Sequence, residues 1–135
     1  MTITNTVSDS KIRKLIEELF KLSGNPYSKE KVKQSEGYVK KGRFSVKTAR
    51  GEVKMAEYFL EHNSGSSSDL TKFTGVTISQ MSAGLSPQGL GLVYPYRDQH
   101  HSRSFIYRRI ANEEELSTYI NLMNKLIKEM EKIVK

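Results

Sequence analysis

The chain has 135 residues, 36% of them hydrophobic and 27% charged, with a mean hydropathy of -0.57. That predicts one modest core in one compact domain, and no apolar run approaches the roughly 18 residues of a membrane-spanning helix. Cys is absent, which excludes a disulfide scaffold, a thiolate nucleophile and a Cys-ligated metal site.

Lys and Arg number 22 against 15 Asp and Glu, a net charge of +7 and a pI near 9.6. Such a balance points to a polyanionic partner, and nucleic acid is the commonest soluble one. The surplus is uneven. Met1 to Lys47 hold eleven basic and five acidic residues, Thr48 to Ala111 seven and five, and Asn112 to Lys135 four and five. These three segments are read as an N-terminal helix with a basic connection, a central unit, and a C-terminal helix. Met1 to Ser10 are polar, without the apolar stretch of a secretory signal, so a cytoplasmic location fits.

In chain order, Ser10 to Ser23 predict an amphipathic helix, with Ile12, Leu15, Ile16, Leu19, Phe20 and Leu22 near the 3.6-residue period and Gly24-Asn25-Pro26 as its stop. Tyr27 to Val46 lack a clean period and read as a basic connection holding at most a short strand or helical turn. Lys and aromatic residues interleave there, which suits phosphate contact with stacking and equally suits a solvated loop. Thr48 to Asn63 predict a second helix, and Ser66 to Thr74 a short third one, with Leu70 and Phe73 inward and Gly75 closing it. Thr77 to Leu85 predict a fourth, with Ile78, Met81 and Leu85 on one face and Pro87 beyond its end.

Leu90 to Tyr96 and Arg103 to Ile110 have strand character and form a hairpin with a polar tip; Pro95 makes the first of them an edge. The last segment starts with Asn112 and Glu115 spaced as a capping box. Leu116, Tyr119, Met123, Leu126, Met130 and Ile133 then follow a heptad seam, widened by Ile120, Ile127 and Val134. Such a seam either folds back over Ile12, Leu15 and Leu19 or pairs with its copy in a second chain, and pairing is the favoured expectation.

The pair Ser66–Thr74 and Thr77–Leu85, joined at Gly75-Val76, has helix-turn-helix spacing. A helix projecting from such a turn fits the DNA major groove, and a following hairpin lies beside it. Here the sequence resembles the winged helix-turn-helix family, particularly MarR- and ArsR-like dimeric regulators. The resemblance rests on Asp69 to Thr77, on Ser79-Gln80-Met81-Ser82 with Leu85, on Gly91-Leu92-Val93, and on Arg103 to Ile110. It covers roughly Thr48 to Ala111, and its pattern is mostly hydrophobic spacing.

The resemblance implies an α+β, mostly helical fold with a two-stranded wing, an N-terminal helix and a long C-terminal dimerisation helix. It turns Thr77, Ser79, Gln80 and Ala83 to the bases of double-stranded DNA, with Gln80 able to pair bidentately with adenine. The expected recognition helix carries no Lys or Arg, so phosphate contact must come from Arg97, His100, His101 and Arg103 on the wing and from Lys40, Lys41, Arg43, Lys47 and Arg50. His100 and His101, adjacent on a loop tip with Asp98 nearby, are a poor ligand set without a further contributor, so no metal is expected; their protonation at about pH 6.5 would add charge to the wing.

No enzyme and no cofactor are expected. Gly84, Gly89 and Gly91 do not form a phosphate-binding loop, and Glu113 to Glu115 are more simply a helix start. Tyr58, Tyr94, Tyr96 and Tyr107 suit an effector pocket and a core or wing equally. The sequence therefore predicts a homodimeric winged-helix protein that binds double-stranded DNA, chiefly as a transcriptional regulator. The alternatives are an architectural, plasmid-partition or mobile-element accessory DNA-binding protein, and a protein-interaction module with a vestigial helix-turn-helix.

Overall fold

In a computed structural model, residues 3–22, 29–41, 44–75, 85–98 and 101–133 are described, with side chains over 11–22, 30–41, 44–75, 85–95 and 106–132. The elements are α1 (Ile3–Lys21), α2 (Lys29–Lys40), α3 (Val46–Glu61), β1 (Ser64–Ser66), α4 (Ser67–Thr74), β2 (Val93–Asp98), β3 (His101–Arg109) and α5 (Glu113–Ile133). The fold is thus α+β and mostly helical, with a small antiparallel sheet. Among the described residues no helix is long and apolar enough to cross a membrane.

Local chemistry sets most boundaries. The Ser45 hydroxyl accepts the Thr48 N–H at 3.1 Å and caps α3; the Ser66 hydroxyl accepts the Asp69 N–H at 3.1 Å and caps α4. At the end of α4, Gly75 adopts φ 78°, a left-handed conformation open to glycine, and its N–H reaches the Thr71 carbonyl at 2.9 Å. The capping box of α5 forms in both directions: Asn112 Oδ1 accepts the Glu115 N–H at 2.8 Å, and Glu115 Oε1 accepts the Asn112 N–H at 3.1 Å.

Three expectations need correction. First, the supposed basic connection contains the helix α2. Its inward stripe is Val32, Ser35, Glu36 and Val39, so half of it is polar and hydrophobic periodicity misses it. An ionic cluster adds to the two buried valines in holding α2 down. Arg13 on α1 grips Glu36 through Nε–Oε2 at 2.8 Å and Nη2–Oε1 at 3.1 Å, and Lys40 adds Nζ–Oε1 at 2.9 Å. The bidentate Arg13 contact holds the Glu36 carboxyl below its ordinary pKa, against burial and with help from Lys40.

Second, the heptad seam lies inside the chain's own core. Leu116, Tyr119, Met123 and Leu126 are fully buried, Met130 and Ile127 nearly so, and Ile120 is half-buried; the Ile133 side chain lies outside the described residues. α5 packs along α3 and α1, and the core it completes includes Ile12, Ile16, Leu19, Val53, Ala56 and Phe59. A stripe of this width serves a globular interior as well as a coiled coil. Folding back takes the surface that pairing with a second copy would need. Third, Phe73 is 50% exposed instead of facing inward beside Leu70. Its ring meets Tyr58 edge-on at 5.5 Å.

The sheet has the order β1–β3–β2, with both pairings antiparallel. Val93 faces Arg109 and Tyr96 faces Ile106, while Ser64 to Ser66 face Arg108 to Ile106 from the other side. β2 is an edge strand, as Pro95 requires. The ladder shifts between Arg97 and Asp98, and Asp98 then faces His101 across the tip. In the middle of β1, Gly65 packs under the Tyr58 ring, whose Cε1 lies 2.5 Å from where a Cβ would stand. Ahead of β2 the chain turns through Leu90 N–H to Ser86 carbonyl and Leu92 N–H to Pro87 carbonyl, at 2.9 and 2.8 Å.

Candidate nucleic-acid interface

The described cations divide into those committed to other residues and those left to solvent. Lys40, one of the expected phosphate contacts, is bound to Glu36. Arg109 is turned inward, with Nη1 on the Phe59 carbonyl at 3.0 Å and Nε on the Ala111 carbonyl at 2.9 Å. That side chain ties the end of α3 to the end of β3.

The corner between α3 and α4 differs. Lys47, Arg50 and Lys54 recur on one face of α3 and line a groove of about 470 Å³ closed by Val46, Gly51, Thr74 and Gly75. All three cations are exposed. Arg50 also reaches Glu131 on α5, Nη2–Oε2 at 3.0 Å, an exposed pair of the kind that holds loosely. Lys47 and Lys54 make no ion pair among the described residues. α3 has no acidic residue in its first turn, so the positive helix end and Lys47 reinforce one another. This groove can hold anionic oxygen atoms, and it lies at the turn where α4 ends.

Lys41 is exposed where α2 ends, close in sequence to this corner, and forms no ion pair among the described residues. On the sheet, Arg108 is exposed with Tyr94 opposite it in the ladder, and Tyr94 is itself 59% exposed. Strand alternation separates outward Arg108 from inward Arg109.

Of the other expected DNA contacts, Thr77, Ser79, Gln80, Ala83, Arg43 and His100 lie outside the described residues. Arg97, His101 and Arg103 fall on β2 and β3, with side chains outside the described residues. The structure therefore brings Lys47 and Arg50 together along one groove and adds Lys54 to them. Its signal was present in the sequence, since Lys47, Arg50 and Lys54 follow helical spacing.

Of Tyr58, Tyr94, Tyr96 and Tyr107, the three described side chains differ in their surroundings. Tyr107 is buried, Tyr94 faces solvent, and Tyr58 stacks on His62 at 4.2 Å beside Phe73; the Tyr96 side chain lies outside the described residues. Among the described residues no group of three His, Asp or Glu side chains is placed to hold a metal ion. Compared with known proteins, the chain matches no family model, no curated protein and no solved structure.

Proposed function

We propose that the chain is a winged-helix protein that binds double-stranded DNA, acting as a transcriptional regulator. The observation that carries this reading is the order of elements joined to the order of the sheet. A helix, a short strand, a second helix, the segment 76–84 and then a hairpin follow one another, and the short strand β1 pairs with the far strand of the hairpin. That pairing ties the hairpin to the strand that leads directly into α4, which supports reading the hairpin as a wing. A rim of cations at the same turn supports a phosphate partner, and the net charge of +7 agrees. Segment 76–84 is the proposed recognition element, and Gln80 its proposed base-reading residue. The step from architecture to DNA is one of analogy, and the cations give it independent physical support. The proposal makes no use of a dimer through α5, whose apolar seam is buried.

Because Lys47 and Lys54 meet phosphates and not bases, the accessory or architectural role remains the second reading. A salt series separates them. On random duplex DNA, the logarithm of the wild-type binding constant should fall linearly with the logarithm of salt. Replacing Lys47 and Lys54 by Ala should reduce that slope by about 2. A much higher affinity for one genomic fragment marks a regulator, and equal affinity for all fragments marks an architectural protein. If Gln80, Arg97 and Arg103 replaced together with the two lysines leave low-salt affinity unchanged, DNA binding through this face is excluded and a protein-interaction role takes its place.

A further inference from the structure

Lys47, Arg50, Lys54 and Tyr58 follow one another along α3 at intervals of three and four residues and so share one helical face. Over about 17 Å that face changes character. Its N-terminal part lines the cationic groove, against Thr74 and Gly75 at the end of α4. At Tyr58 it lines a second groove, of about 480 Å³, with Asp69, Lys72 and Phe73 of α4. Phe73 and Thr74 are consecutive, so the two grooves adjoin at the last turn of α4.

The second groove offers a fixed aromatic surface. The Tyr58 ring stacks on His62 with centroids 4.2 Å apart, and Gly65 beneath it leaves no room for a Cβ. Phe73 stands against this braced ring at 5.5 Å, inclined by 67°, with half of its own surface open to solvent. A flat partner can cover Phe73 without first ordering it, which removes part of the usual cost of binding. Charge differs between the grooves as well. Three cations and no acid line the first. Asp69 and Lys72 line the second, both exposed and without an ion pair among the described residues, so its charge sums to zero. Glu57 and Glu61 are exposed farther round α3 and line neither groove. A phosphate is therefore drawn to the first groove, and an uncharged ring suits the second.

Nucleic acid joins phosphates to flat uncharged rings. In a duplex those rings are stacked and paired inside; in an unpaired strand their faces are open to aromatic side chains. We propose that the two grooves form one track for an unpaired DNA strand, with phosphates on Lys47, Arg50 and Lys54 and a base stacked on Phe73. Lys72 meets a phosphate beside the stacked base, and Asp69 keeps phosphates off the ring itself. This inference rests on the phosphate reading of the first groove and goes beyond duplex binding, which leaves the face of Phe73 unused.

The chain has no Trp, so Phe73→Trp sets a single reporter at the stacking position. Its fluorescence should be quenched by a thymidine oligonucleotide of about 12 residues, and far less by a duplex of the same length. Anisotropy of the labelled oligonucleotides gives the affinities. Phe73→Ala should lower single-strand affinity about tenfold or more, while its salt slope and the duplex affinity stay at wild-type values. Lys47→Ala combined with Lys54→Ala should instead reduce the single-strand salt slope by about 1.4. The proposal is overturned if the wild type binds no single strand at low salt, or if Phe73→Ala binds it as tightly as the wild type. It is also overturned if Phe73→Trp fluorescence ignores a strand that anisotropy shows to be bound. Duplex binding that follows the lysines while Phe73 stays silent removes the track and leaves the regulator standing. Phe73-dependent single-strand binding without duplex binding does the reverse.

Discussion

Two buried glutamates, one at each end of the helical framework, sit in opposite surroundings. Glu36, between α1 and α2, accepts three hydrogen bonds from Arg13 and Lys40. Glu52, between α3 and α5, accepts none. The first is held below its ordinary pKa and the second is pushed above it. Burial alone therefore does not decide ionisation; the supply of donors does. The same contrast sorts the cations. At the α1–α2 end Arg13 and Lys40 are committed to structure, and at the α3–α4 end Lys47 and Lys54 stand around an open groove. The N-terminal segment carries most of the surplus charge, yet part of it is locked in a scaffold.

The largest expected effect calibrates this contrast against the interior that the two ends share. Leu126→Ala removes a fully buried side chain from the α5 seam and should destabilise the fold by about 2–5 kcal/mol. Its thermal midpoint, like that of the wild type, should not depend on protein concentration. A midpoint that climbs with concentration would show that the seam is shared between chains after all.

The next effect concerns the paired glutamate. Glu36→Leu removes the carboxylate that Arg13 and Lys40 both grip and should cost about 2 kcal/mol, with α2 loosening first. The sign of the wild-type pH dependence follows from the lowered folded pKa. The stabilisation is present above the unfolded-state value and is lost as pH falls through the folded one, below about pH 4–5. Acid unfolding monitored by circular dichroism should therefore lose this component in Glu36→Leu. DNA affinity at neutral pH should not change, because Glu36 takes no part in the groove. A loss of DNA binding without loss of stability would reverse the assignment of the two ends.

What the sequence made legible is what local chemistry dictates. A serine cap for α4, the stop at Gly75 and the Asn112–Glu115 box each follow from residues a few positions apart, and each forms, with Ser66 as the cap and Gly75 left-handed. The edge position of Pro95 follows from its missing donor. Long-range matters were illegible. β1 is Ser64-Gly65-Ser66, without a β-branched or aromatic residue, and becomes a strand because β3 offers it a ladder. α2 is held by a carboxylate whose partner is on another helix. The seam of α5 has a period that a coiled coil and a folded-back helix share, and only the positions of α1 and α3 choose between them. Within the candidate site, Lys47 and Arg50 were legible as basic residues ahead of the expected helix-turn-helix. The commitment of Lys40 to Glu36 was hidden, and so was the separation of outward Arg108 from inward Arg109.

The smallest effect is the most discriminating, because its two readouts have opposite signs. Lys47 lies in the first turn of α3, where the unpaired N–H groups already present positive charge. A cation there opposes the helix dipole, so Lys47→Glu should stabilise the fold by about 0.3–1 kcal/mol. The same change places a carboxylate in the groove and should weaken duplex binding, most at low salt where screening is least. Denaturant melts and a binding titration on the same preparation read both. A cation kept at the wrong end of a helix is what a surface selected for anion binding would retain against stability. If Lys47→Glu improves stability and leaves DNA affinity intact, Lys47 is an unoptimised surface residue, and the division between committed and available cations loses its functional meaning.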